Sequence, residues 1–583
     1  MKHKIYLIVL FLGFCLTSCV DSILQKPFGS DLLVDSIFST QQKALGAIAE
    51  AYSKSLMSGV CMIDWDNNRT YGLRGGTLSQ LSGEVNAVKF NWEDGWLIAH
   101  NGMTADDGSG IPRSDDGFGF NYNAIRHDYL VIENIDKVRD MSAEEKAAVK
   151  AEMKTLIAYR YEEMLKRYGG VPIITKSLST ADDIKIPRAT LQQVLEHILG
   201  LCGEAIPDLP DSYPDNFKGR VTKGVAMAIK AEALMFAARP LFNSSTPYMD
   251  LGEHNNLICF GDEKASRWDD AITASEAVIT WAKANGHHII NTGFPLDDYG
   301  TACAIPNNPE VLIAYKSQYD AGSNGNYYDP HGQSGGANGM SYNQLTQYVK
   351  ADGTEQEWPG SSVNPYSEYA RKIEEMEPRY KASAAGAGID AWNNPNSNHW
   401  SSRVLTDGSN WEGRGGTEAC GRRVKFWYHA GTRNWFEFPI YRLAEFYLNL
   451  AEAYNEANNP TKALENLKVI RDRAGLPEVK DTDKTILRRK IQREWAVEFY
   501  EEGHRLYDVK HWKSTDIDKG IIGGTRKNFV FTYVNGDYAF EPSGYLTYTV
   551  KDVFTGFWSP NQFLSPFPIK EVNIGYLVQN PGY

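Results

Sequence analysis

The sequence is poor in paired cysteine. It has seven Cys in 583 residues, and none stands in a C-x-x-C spacing. Cys15 and Cys19 lie near the N-terminus. Cys61, Cys202, Cys259, Cys303 and Cys420 remain, an odd set scattered along the chain. That argues against a disulfide framework and against a cysteine-built zinc site. Neither a metal nor a cofactor is expected. Positive charge is also short: 60 Lys and Arg face 73 Asp and Glu, for a formal charge of −13. Phosphate recognition needs clustered Lys and Arg, so nucleic acid and anionic surfaces are disfavoured as partners. Long apolar runs are scarce. The run from residue 5 to 16 is too short for a stable membrane span, and no later stretch is long enough. Finally, no catalytic carboxylate signature stands out. Asp106-Asp107 and Asp115-Asp116 are adjacent acids in a Gly-rich stretch, a pattern of solvated groups or of a calcium loop rather than of a glycosidase pair.

What is present begins with a leader. Lys2 and Lys4 precede the apolar run, and small residues follow it, the layout of a secretion signal over residues 1–18. It ends in Leu16-Thr17-Ser18-Cys19, the form of a bacterial lipobox. Cleavage before Cys19 and acylation there would give stable anchoring, because several acyl chains hold where a single myristoyl chain does not. Aromatics are plentiful, with 14 Trp and 32 Tyr, many in Gly- and Asn-rich stretches.

Helical periodicity dominates both ends of the chain. Around residues 438–512, Leu443, Phe446, Tyr447, Leu450, Ala451 and Tyr454 form one apolar face. Asn458, Asn459 and Pro460 break it and start a second helix carrying Ala463, Leu467, Ile470 and Ala474, with Gly475 where a C-terminal cap belongs. Leu487, Ile491, Trp495 and Phe499 line a third. Further helices are expected over 44–55, 122–138, 143–168, 187–206, 221–242 and 268–284, the fifth rich in Ala for close packing. About nine helices joined by short turns make a helical hairpin array. From 286 to 437 the character changes to Gly, Asn, Ser and aromatics with only short apolar runs such as 311–315. The fold class expected is mainly α: a tetratricopeptide-like hairpin array with a large irregular, loop-rich insertion subdomain. The divisions are 19–285, 286–437 and 438–583. Glu498 and Glu502, and Arg505 and Asp508, have spacings that place them side by side on a helix, and they read as ion-paired scaffold.

Several motifs together resemble the SusD/RagB family of outer-membrane lipoproteins of Bacteroidetes. They are the Ala451–Tyr454 AEAY helix, R-x-R-A-G-L-P at 471–477, and the series Glu494, Glu498, Glu502, Gly503, Arg505, Asp508 and Trp512. Trp495 stands where the family usually has Arg. Also similar are R-Y-G-G-V-P at 167–172, N-P-E at 308–310, E-P-R at 377–379 and the tail at 563–583, ending Q-N-P-G-Y. The resemblance implies a cell-surface protein anchored to the outer membrane by lipid at Cys19. It implies a non-catalytic protein that binds glycan, or peptide in some branches, and caps a SusC-type TonB-dependent transporter.

A sugar site needs aromatic faces for pyranose C–H groups and planar polar groups for hydroxyls. Two stretches supply both, and the resemblance implies ligand contacts near each. In residues 89–114, Trp92 and Trp96 are candidate stacking platforms, with Asn91 and Asp94 as hydroxyl partners. In residues 318–342, Tyr327 and Tyr328 are the platforms, with Asn326 and Gln333 beside them. Trp358, Trp392, Trp400 and Trp411 are further candidates. The competing reading of Trp96, with Leu97 and Ile98, is an anchor that pins a loop to the core. A peptide-binding lid, a surface glycoside hydrolase and a structural adhesin are the alternatives in function.

Overall fold

The structure is a computed structural model. It describes residues 30–56, 77–85, 94–105, 117–317, 339–360, 362–386, 420–428, 433–514, 523–533 and 545–583. Its helices are α1 (Ser30–Ile37), α2 (Gln41–Leu56), α3 (Thr77–Leu81), α4 (Asp94–Asn101), α5 (Phe118–Asn134), α6 (Ala143–Tyr168), α7 (Leu191–Ala205), α8 (Lys223–Ala238), α9 (Ser266–Ala284), α10 (Pro295–Ala304), α11 (Tyr342–Leu345), α12 (Tyr366–Glu374), α13 (Pro378–Ser383), α14 (Leu443–Glu456), α15 (Pro460–Arg473), α16 (Lys484–Glu498), α17 (Arg505–His511) and α18 (Ile569–Asn573). Four packed pairs form the array: α2 with α5, α6 with α7, α8 with α9, and α14 with α15. Contacts of α5 with α6, α7 with α8 and α9 with α14 stack the pairs, and α16 closes on α14. The fold is mainly α and tetratricopeptide-like, as expected. No helix among the described residues is long and apolar enough to cross a membrane.

Local chemistry sets the helix limits. Ser142 and Glu145 form a reciprocal capping box at the start of α6. Thr190 and Gln193 do the same for α7, so that helix begins at Leu191 rather than at Pro187. Pro240 ends α8 early. It holds Arg239 extended, where a helix over 221–242 was expected. The turn between α14 and α15 places Asn458 at positive φ, Asn459 as cap and Pro460 at the first helical position. The Ala face of α8 is buried, and Gly224 lets α9 approach closely. A Cβ there would meet the Trp281 ring at 2.0 Å.

Among the described residues seven strands accompany the helices: β1 (Val311–Ser317), β2 (Asn364–Pro365), β3 (Ala384–Ala385), β4 (Arg422–Arg423), β5 (Phe436–Arg442), β6 (Gly524–Tyr533) and β7 (Tyr545–Gly556). The β1–β5 ladder is antiparallel, pairing Ala314 with Pro439, and β5 runs directly into α14. A three-stranded sheet has the order β2-β7-β6, with Phe529 opposite Val550 and Phe531 opposite Tyr548. The β6–β7 pair was not among the expected elements. Phe529, Phe531, Tyr548 and Val550 form a second core with Met340, Tyr348, Tyr369, Met376 and Tyr380. Tyr342 and Trp358 pack at its margin, and the Trp358 ring lies 5.2 Å from that of Phe529.

Between the two cores lies a buried ion network. Arg442 donates Nε to Glu502 at 2.7 Å and Nη1 to Glu498 at 2.6 Å. Arg473 pairs with Glu498 and, at 3.2 Å, with Glu310. Arg379 contacts Glu377, Glu494 and Glu498, Arg471 contacts Glu494, and Lys425 contacts Glu502 at 2.6 Å. All of these side chains are buried. Glu498 and Glu502 are scaffold, as read from the sequence, but their partners come from other elements rather than from neighbouring turns. Arg505 and Asp508 do not pair with each other either: Asp508 is held by Arg239 at 2.7 Å. Burial alone would raise the Glu498 carboxyl, but Arg473, Arg442 and Arg379 outweigh it and hold the group well below its ordinary 4.5. Arg442 and Lys425 overcome burial in the same way at Glu502.

Two outcomes follow from this network. Arg442→Met leaves two carboxylates without their shared cation and should cost about 3–5 kcal/mol, read as a lowered urea midpoint. An unchanged midpoint would remove Arg442 from this role. The depressed carboxylates contribute stability that is complete above their unfolded value near 4.5 and is lost as pH falls through the lower folded value. A melting temperature that rose on acidification from 4.5 would contradict this.

Candidate ligand-binding site

The first aromatic stretch expected as a loop contains helix α4. Leu97, Ile98 and Ala99 face inward and are buried, which gives the segment an apolar side to fold upon. On the other side, Trp96 and His100 are one turn apart. Their rings stack with centroids 4.0 Å apart and planes 20° apart. His100 then stacks on Phe554 of β7 at 4.2 Å and 18°. The three rings form one continuous stack, each half-buried. Phe557, 42% exposed, lies beside it near the end of α4.

Backbone contacts hold the row. The His100 ring Nδ1 lies 2.8 Å from the Trp96 carbonyl, and Asn101 donates to the Leu97 carbonyl at 3.0 Å. The Phe557 amide donates to the Ala99 carbonyl at 2.7 Å, tying the segment after β7 to α4. Gly102 follows α4 at φ +79°, and a Cβ there would meet the Phe557 ring at 2.6 Å, so glycine is required for the close approach. Gln562 then clamps Met103 through both main-chain groups, at 2.9 and 3.3 Å. Burial pushes the His100 imidazole below its ordinary 6.5, against the hydrogen bond to Trp96, so the ring is neutral at neutral pH.

A face-to-face stack leaves the outer faces of its end rings, Trp96 and Phe554, to meet the apolar C–H face of a pyranose, while His100 between them offers only its edge. The row holds no set of metal ligands. Among the described residues one such set occurs elsewhere, at Glu232, Glu445 and His504.

Of the residues expected at the site, Trp96 is in the row, and Asp94 opens the helix that carries it. Asn91, Trp92, Asn326, Tyr327, Tyr328 and Gln333 lie outside the described residues, as do Cys19, Trp392, Trp400, Trp411 and the acidic pairs at 106–107 and 115–116. Leu97 and Ile98 are the buried anchor weighed for this segment, and the Trp96 indole beside them is half-buried. Phe554 and Phe557 were missed. Their only sequence signal is the alternation Tyr545-Leu-Thr-Tyr-Thr-Val, which marks a strand that ends beside α4.

Comparisons with known proteins agree with this architecture. Residues 312–583 match the SusD/RagB model, described as the SusD family. Residues 77–233 match a SusD-like model described as starch-binding associating with outer membrane. A curated relative, SusD-like protein P25 of Formosa agariphila, is 21% identical over 479 residues, covering 77% of this chain and 74% of that one. A SusD-like protein from Bacteroides fragilis superposes with a TM-score of 0.72 at 24% identity, covering 94% of this chain and 98% of that one. A SusD-like carbohydrate binding protein from the same species superposes at 0.66 and 17% identity, covering 92% and 99%. With a SusD-family model over 312–583 and a SusD-like model over 77–233, the chain belongs to the SusD/RagB family.

Proposed function

We propose that this protein captures oligo- or polysaccharide at the cell surface and delivers it to a SusC-type TonB-dependent transporter, without catalysing a reaction. The observation that carries this reading is the half-buried Trp96–His100–Phe554 stack, a preset group of rings whose outermost indole comes from the stretch where ligand contacts were expected. Family membership supports it, as do a matched model described as starch-binding and a structural neighbour titled carbohydrate binding. Trp92, Asn91, Asp94, Asn326, Tyr327, Tyr328 and Gln333 complete the site in this reading, the last four from the stretch after β1. In this reading residues 286–437 form the insertion subdomain that carries the second stretch. A lipid on Cys19 tethers the protein to the outer membrane, with residues 20–31 as a short leash.

The test is affinity electrophoresis of the protein lacking residues 1–19 through gels cast with a panel of polysaccharides. Retardation by a glycan, with no new reducing ends, is the expected outcome. Trp96→Ala should weaken that binding roughly tenfold, a loss of about 1.4 kcal/mol, the scale of one aromatic stacking contact. His100→Ala should act in the same direction. Unchanged binding by the Trp92→Ala, Trp96→Ala double variant would remove the site from this surface. Release of reducing ends would replace the lid with a hydrolase, and retention of peptides alone would replace the glycan.

A further inference from the structure

A small cavity of about 40 Å³ lies inside the array, away from the aromatic row. Three metal-ligating side chains line it: Glu232 from α8, Glu445 from α14, and His504 from the turn after α16. One ligand atom of each lies within 4.8 Å of the others, a spacing that small side-chain rotations close onto a shared ion. The three come from elements far apart in sequence, so their convergence is a product of the fold.

The state of Glu445 points to a missing ligand. Its side chain is 0% exposed, and neither carboxylate oxygen has a hydrogen-bond partner. A buried carboxylate left so is costly, and native structures rarely tolerate one. Glu232 faces it and accepts one hydrogen bond, from Asn449 Nδ2 at 3.1 Å. Neither carboxylate is in an ion pair among the described residues. The nearby cations of α6 are committed elsewhere: Lys166 sits on Glu162 and Glu163, and Arg167 on Glu163. Glu502, on the same cavity wall, is matched by Arg442 and Lys425. The two facing carboxylates thus have no direct ion-pair partner among the described residues, and the Lys166 ammonium on the cavity wall acts on Glu445 only at longer range. A single shared proton would satisfy one oxygen of the pair and leave an acceptor of Glu445 still bare.

The imidazole completes the set. His504 is packed against Phe499 at 4.5 Å and Trp495 at 5.8 Å, which fixes its plane at the cavity wall. Burial keeps the ring neutral, the form in which it offers a lone pair. Two carboxylates and one imidazole suit a borderline divalent ion better than calcium or magnesium, which take oxygen alone. The cavity has room for a water as fourth ligand. We propose that Glu232, Glu445 and His504 bind a divalent transition-metal ion, with zinc the best match in donor set and coordination number. The bound ion joins α8 and α14 to the turn after α16, where Glu501 adopts φ 58°.

The experiment is a zinc titration of the whole secreted chain after chelator treatment, read by calorimetry and by thermal denaturation. One zinc equivalent should bind the wild type and raise its melting temperature. His504→Gln and Glu445→Gln should each weaken that equivalent at least tenfold. Glu445→Gln is the variant that tests the site without a folding defect. It is nearly isosteric and removes the unmatched charge, so the metal-free form should melt no lower than the metal-free wild type. Two results overturn the proposal. Absence of zinc binding by the wild type would mean that the carboxylates share a proton instead. Zinc binding that both variants leave unchanged would place the metal on other histidines.

Discussion

The architecture depends on one buried interaction, the exchange of charge among Arg379, Lys425, Arg442, Arg471 and Arg473 on one side and Glu310, Glu377, Glu494, Glu498 and Glu502 on the other. Replacing such a cluster with well-packed apolar side chains is often neutral in stability, so its contribution lies in specificity. Apart from Glu377, which pairs with the nearby Arg379, each group has a partner from another element. Glu310 leads into β1, Arg442 joins β5 to α14, Arg471 and Arg473 end α15, and Glu494 and Glu498 lie on α16. Arg379 and Lys425 come from the loop-rich part. A shift of any one element strands a charge away from water, which costs several kcal/mol per ion. The network therefore fixes how the irregular part sits on the array, where apolar contacts alone would permit sliding.

This also explains the motif residues. Arg471 and Arg473 of the R-x-R-A-G-L-P segment, Glu310 of N-P-E and Arg379 of E-P-R all belong to the network. Asn580 of the terminal Q-N-P-G-Y donates to the carbonyls of Tyr168 and Ser565, pinning the tail beneath α6. Trp495 fills space beside Phe499, with the Arg239 guanidinium 5.6 Å from its ring. The motifs hold the scaffold together, which is why they identified the fold well and the ligand poorly.

The helices were legible because apolar residues recur at helical spacing and their ends carry caps. The β6–β7 pair was not, and the reason is chemical. Arg526 and Asn528 are buried on one face of β6, and Phe529 and Phe531 are buried on the opposite face. Polar residues on a buried face obscure the apolar pattern by which a strand is recognised. Trp96 was legible as an aromatic in a polar stretch. Its stacking partner was not, because Phe554 reaches it across the fold rather than along the chain. Glu232, Glu445 and His504 were invisible for the same reason. Each stands alone in its own helix or turn, and spacing along the chain detects ligands only when two share an element.

The aromatic row gains its character from where it is built. Trp96 and His100 belong to a helix seated by Leu97 and Ile98, while Phe554 belongs to the sheet of the second core. The hydrogen bond from Phe557 to Ala99, the close approach at Gly102 and the Gln562 clamp hold these two parts in register. The rings are already stacked on one another, so a ligand that meets the outer face of Trp96 or Phe554 need not order that ring first. Ordering a free side chain on binding costs about 0.5–1.5 kcal/mol, comparable to what one stacking contact returns. A row assembled in advance keeps that return. In the proposed function, the interactions that dock the hairpin on α4 act on affinity without touching the ligand, and the sheet that the sequence concealed is what turns one half-buried tryptophan into a three-ring stack.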